Sequence, residues 1–78
     1  MKEQVYVAFS GTKEQEAELR KVIEKYKNTD GALIPVLHEA QDIYGYLPEE
    51  VQQIISDELH IPMAEIYGVI TFYTQFSL

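Results

Sequence analysis

Cysteine does not occur among the 78 residues, which excludes a disulfide framework, a thiolate metal site and a cysteine nucleophile. Basic residues are confined to the first 27 positions: Lys2, Lys13, Arg20, Lys21, Lys25 and Lys27. Five glutamates nearly balance them there, leaving +1. From Asn28 onward eight carboxylates stand with no lysine or arginine: Asp30, Glu39, Asp42, Glu49, Glu50, Asp57, Glu58 and Glu65. That part carries −8, which gives the overall −7. A surface of this sign repels nucleic acid and anionic lipid and favours protein partners with basic rims. Long apolar runs are also missing, so no segment approaches the roughly 18 residues of a membrane span. After Met1-Lys-Glu-Gln only five apolar residues precede Ser10-Gly11, too few for a secretory signal, and the expected location is the cytoplasm. The four glycines are isolated, so there is no phosphate-cradling loop.

What remains is one small domain, near the size where a single core is only marginally sufficient. Punctuation and periodicity predict an all-α, four-helix bundle with helices over about 12–27, 32–44, 48–59 and 62–76, preceded by a short arm at 1–11 that is extended or disordered. Thr12-Lys-Glu-Gln15 has the form of a capping box, and Leu19, Val22, Ile23 and Tyr26 then recur at i, i+3, i+4, i+7. Asn28-Thr-Asp-Gly31 ends the first helix. In the second, Leu33, Leu37, Ala40 and Tyr44 line one face and Val36 and Ile43 widen it. Pro35 fits its first turn and Gly45 the left-handed position after the last. Pro48 and Pro62 read as first helical residues of the third and fourth helices. The third carries its apolar line on Val51, Ile54, Ile55 and Leu59, closed by His60.

The last stretch, Ile61 to Leu78, is the most informative. Ile66, Val69, Ile70 and Tyr73 fall at helical spacing, but so do Met63, Tyr67 and Ile70, with Phe72 and Phe76 on further faces. A helix apolar over most of its circumference must be covered on more than one side. Tyr67, Phe72, Tyr73 and Phe76 are therefore the expected partner interface, since aromatics are enriched at interface centres. Gly68, mid-helix at a cost of roughly 1 kcal/mol relative to alanine, implies close approach by another helix, either within the domain or from a partner.

These residues form a pattern. Leu33-Ile34-Pro35-Val36-Leu37, Gln41, Gly45-Tyr46-Leu47-Pro48, Ile61-Pro62-x-Ala64-Glu65-Ile66-Tyr67-Gly68-Val69 and Thr71-Phe72-Tyr73 occur in that order. The chain resembles, over about residues 30 to 78, the N-terminal helical domain of the thioredoxin-like 2Fe–2S subunit of NADH dehydrogenases. Complex I, NADP-reducing and bifurcating iron hydrogenases and NAD-dependent formate dehydrogenases contain such subunits. In that family the helices lead into a thioredoxin-like domain whose four cysteines hold a 2Fe–2S cluster. Here the sequence stops near where that domain should begin, so the expectation is no cofactor in this chain and a cluster only in the missing domain. The resemblance implies a non-catalytic docking role in an electron-transfer assembly. Its partners would be the iron–sulfur domain and the flavin- and nucleotide-binding subunit.

Other chemistries find little support. His38 and His60 lie 22 positions apart on different helices, with no second histidine at i+3 or i+4, so the expected roles are a helix surface and a helix C-terminus. Glu49 and Glu50 point about 100 degrees apart and suit a helix first turn. Glu39 and Asp42 form a better-spaced carboxylate pair, but on an outer, solvated face. Val51 to Ile70 has helix-turn-helix rhythm, the alternative reading as a nucleic-acid binder. Its would-be recognition helix bears no lysine, arginine or asparagine, and its one charge is Glu65. The purified chain should be colourless and hold no stoichiometric iron or zinc. Elemental analysis that found about one tightly bound iron per chain would instead demand a histidine–carboxylate site.

Overall fold

A computed structural model describes residues 11–78. Within them four helices follow one another: α1 (Lys13–Tyr26), α2 (Leu33–Tyr44), α3 (Glu49–Leu59) and α4 (Met63–Phe72), with no strand among the described residues. The all-α expectation holds, while the arm expected at 1–11 lies, but for Gly11, outside the described residues.

Thr12 begins α1 with the capping box the sequence announced. Its hydroxyl accepts from the Gln15 amide (3.0 Å), and its own amide donates to Gln15 Oε1 (2.9 Å). The Gln15 Nε2 then donates to the Ile43 carbonyl in the last turn of α2 (3.1 Å). One side chain thus caps α1 and joins it to the far end of α2, which fits two helices packed side by side and antiparallel. On the outside, Tyr26 donates to Glu39 (2.7 Å) and Lys25 approaches the same carboxylate (3.3 Å), while Arg20 bridges Glu16 on α1 and Glu58 on α3. The Tyr26 hydrogen bond, and then that from Lys25, hold the Glu39 carboxyl below its ordinary value. The ion pairs lie at the surface and the Tyr26–Glu39 bond is only part-buried, so they orient helices more than they stabilise them.

The core is one cluster: Leu19, Ile23, Leu33, Val36, Leu37, Ala40, Leu47, Val51, Ile55, Ile66, Ile70 and Phe76. Helices α1 to α3 bury the faces that periodicity assigned, with Val22, Tyr26, Ile43, Ile54 and Leu59 partly covered at the margins. Pro48 and Pro62 are N-caps in extended conformation, one position earlier than read from the sequence. Gly45 does take the left-handed conformation (φ 87°), and its amide donates to the Gln41 carbonyl (2.6 Å). His60 takes the same role after α3, with φ 59° and ψ 43°. A side chain there crowds its own backbone, which glycine would avoid.

The fourth helix departs from expectation in two ways. It ends at Phe72, four residues short of the 76 that apolar continuity suggested. Tyr73 is already extended, and Thr71 Oγ1 turns back onto the Tyr67 and Gly68 carbonyls (3.0 and 3.1 Å). A run of β-branched and aromatic residues extends a helix poorly, so tertiary contacts decide its end. A turn closed by Phe76 N–H to Tyr73 carbonyl (3.3 Å) swings Phe76 into the core. Gln41 then straps the terminal segment to α2: its Nε2 donates to the Gln75 carbonyl (2.8 Å) and its Oε1 accepts from the Ser77 amide (2.6 Å). The Leu47 amide adds a bond to the Ser77 carbonyl (2.8 Å).

Two outcomes follow. His60→Gly should relieve the left-handed position by about 1 kcal/mol and raise the melting temperature by roughly 4–8 °C; a fall would show that the imidazole itself stabilises the turn. Gln41→Ala, which removes both side-chain bonds to the strap, should cost about 1–3 kcal/mol. It should also speed hydrogen exchange at the Ser77 and Leu47 amides, while α1 amides change only by the global loss.

Candidate docking face

A ten-residue helix that buries only Ile66 and Ile70 leaves most of its surface to solvent. Position by position, Ala64, Tyr67, Gly68, Thr71 and Phe72 follow the i, i+3, i+4, i+7, i+8 rule and are all exposed. None is charged. Tyr67 keeps 53% of its surface in water and Phe72 79%. The helix therefore has an apolar stripe spent on the core and an uncharged one facing out, with Tyr67 and Phe72 its large apolar members. A contiguous outward apolar stripe rimmed by polar residues is the usual mark of an interaction surface.

Three of the four expected interface aromatics lie on or beside this stripe. Phe72 and Tyr73 meet edge to face with ring centroids 5.3 Å apart, and Tyr73 reaches Phe76 in the same manner at 6.3 Å. Tyr73 is 40% exposed. Phe76 is different. Only 7% exposed, it packs in the core with the His38 ring 5.0 Å away, so in this chain its surface is already used. The aromatic series thus runs from solvent at Phe72 to core at Phe76.

Gly68 is exposed, and a Cβ built on it meets nothing within 4 Å. The internal half of the sequence reading is therefore corrected: no helix of this domain requires the missing side chain. Exposed Tyr46 and Leu78 were not singled out from sequence. Neither was Gln52, buried to 3% exposure with its Nε2 donating to the Leu47 carbonyl (2.9 Å). Its place between Val51 and Ile55, on the inward side of α3, was the available signal.

The remaining candidates do not converge. His38 sits at the surface of α2, its Nε2 3.1 Å from the Gln75 carboxamide, and His60 caps α3. Glu39 is taken up by Tyr26 and Lys25, and exposed Asp42 shares with it an open surface hollow lined also by Glu18, Val22 and Ile43. Glu49 and Glu50 occupy the first turn of α3, where the helix dipole favours them. Among the described residues no three His, Cys, Asp or Glu side chains are grouped to hold a metal ion. A 2Fe–2S cluster needs four protein ligands, normally thiolates, and this chain has none to offer. Helices α3 and α4 do make a helix-turn-helix, but α4 presents no cation to a phosphate backbone. No helix among the described residues is long and apolar enough to cross a membrane.

Comparison with known proteins gives this arrangement its context. Residues 19–78 match the family model of the thioredoxin-like [2Fe-2S] ferredoxin. The chain is 46% identical over 61 residues to the NADP-reducing hydrogenase subunit HndA of Solidesulfovibrio fructosivorans, covering 78% of this chain and 36% of that protein. It is 32% identical over 69 residues to a subunit of the NADH-quinone oxidoreductase of Aquifex aeolicus, covering 88% of this chain and 43% of the relative. With a subunit of the NADH-quinone oxidoreductase of Rhizobium meliloti it shares 34% over 73 residues, 91% of this chain and 26% of the other. The chain thus spans less than half of each relative. With the matched segment taking in all of α2, α3, α4 and the strap, the chain belongs to the thioredoxin-like [2Fe-2S] ferredoxin family.

Proposed function

We propose that this chain is a docking and bracing module of an NADH dehydrogenase or NAD(P)-linked hydrogenase, working in the cytoplasm and carrying no electrons itself. The observation that carries this reading is the uncharged outer stripe of α4, with Tyr67, Phe72 and Tyr73 exposed together and Gly68 bare between them. Its partners would be the thioredoxin-like iron–sulfur domain and the flavin- and nucleotide-binding subunit. Relatives named as subunits of such enzymes support the parent assembly. Gln41 contributes by holding the terminal segment on α2, so that Tyr73 is presented from a fixed backbone.

Electron transfer demands fixed distances between centres, and a rigid module beside a redox domain supplies orientation without chemistry. Gly68 separates this reading from an idle surface. In an isolated helix, Gly68→Ala should stabilise the chain by about 1 kcal/mol, because it restores helix propensity where there is room for a methyl group. If a partner helix seats there, the same methyl group should weaken assembly. Phe72→Ser should weaken assembly by about 1–3 kcal/mol while leaving the melting temperature nearly unchanged, since the ring is mostly in water. Calorimetric titration of each variant against the purified flavin- and nucleotide-binding subunit reads both effects. Wild-type affinity in both variants would remove α4 from the interface.

A further inference from the structure

Between the first turns of α3 and α4 lies an open groove of about 370 Å³, lined by Glu49 and Gln52 on one side and by Met63, Ala64 and Tyr67 on the other. Its chemistry is one-sided. Met63, Ala64 and the Tyr67 ring make apolar walls. The polar side-chain groups from α3 are a carboxylate and a carboxamide. Gln52 donates its Nε2 inward to the Leu47 carbonyl, and because that partner can only accept, the orientation of the amide is fixed. Its Oε1 receives no hydrogen bond from any described residue, although the side chain is almost wholly buried. At the groove wall this oxygen still reaches solvent, so it can accept from a donor that a guest brings. No lysine or arginine lines the groove, and α2, α3 and α4 contain none.

A complementary guest has an apolar stem, a positive charge and donors pointing in more than one direction. We propose that the groove receives an arginine side chain of the protein partner. The stem lies along Met63 and Ala64, the guanidinium stacks on Tyr67, and its N–H groups reach the Glu49 carboxylate and Gln52 Oε1. Lysine meets the charge requirement, but its compact ammonium lacks the planar fork that serves a carboxylate and an amide while stacking on a ring. The two helix N-termini beside the groove add about half a positive charge each. Against them the groove sets the full charge of Glu49, with Glu50 and Glu65 elsewhere in the first turns of the two helices. This rests on the docking reading and names the partner group that Tyr67 would meet.

The test is a titration of N-acetyl-arginine methylamide into the full ¹⁵N-labelled chain, followed by NMR. Saturable shifts should concentrate at Glu49, the Gln52 side-chain amide, Ala64 and Tyr67. Glu49→Gln and Tyr67→Leu should each weaken the affinity at least threefold, and added salt should weaken it further. N-acetyl-norleucine methylamide, which has the stem without the charge, should leave these resonances in place. Non-saturating shifts scattered over all the acidic residues would overturn the proposal. So would equal affinity in both variants, or an equal response to norleucine. The wider docking face is judged separately, by the Phe72 and Gly68 variants against the whole partner, so either reading can fail alone.

Discussion

Helices of ten to fourteen residues do not hold themselves together in water, so each of these four depends on the apolar face it shares with the others. The shared core is small. Leu19 and Ile23 from α1, Val36, Leu37 and Ala40 from α2, and Val51 and Ile55 from α3 fill most of it, joined by Leu47 from the linker. What space is left admits Ile66, Ile70 and the returning Phe76. The fourth helix has more apolar residues than this core can cover. That mismatch shapes the rest of the molecule, from the early end of α4 to the uncharged stripe it turns outward.

Charge divides along the same line. The cations described by the structure, Lys13, Arg20, Lys21, Lys25 and Lys27, lie on α1 or just beyond its end, and Arg20 and Lys25 bind carboxylates of neighbouring helices. The face built by α3 and α4 is left acidic around an apolar centre. A partner of the kind proposed would be selected twice, by aromatic burial at the centre and by positive charge at the rim. Cluster chemistry asks for thiolates, and none is present. The chain spans 36% of the hydrogenase relative and 43% of the Aquifex one.

How far this was legible in the sequence varied with the kind of signal. Thr12-x-x-Gln15 and Gly45 announce helix ends through local chemistry, and the backbone obeys them. Periodicity assigned the inner faces of α1 to α3 because each has one dominant stripe. In α4 the pattern is apolar all round, so spacing could not say which stripe faces inward, nor that residues 73–78 would turn back. That turn depends on Gln41 and Leu47, more than 25 positions away, through hydrogen bonds no local rule encodes. Phe76 was for this reason read with the interface aromatics, although the strap carries it into the core. Gln52 stands on the inward side of α3 between Val51 and Ile55, but it is polar, and the Leu47 carbonyl that makes its burial tolerable comes from the linker before the helix.

In the assembly proposed, α4 is covered. Hydrogen–deuterium exchange of the chain, alone and bound to the iron–sulfur domain and the flavin- and nucleotide-binding subunit, tests this directly. Assembly should slow exchange across residues 63–73 while α1 is little changed. Unchanged exchange in α4, with protection appearing instead around Glu39, Asp42 and Glu58, would contradict it and move the docking surface to the acidic faces.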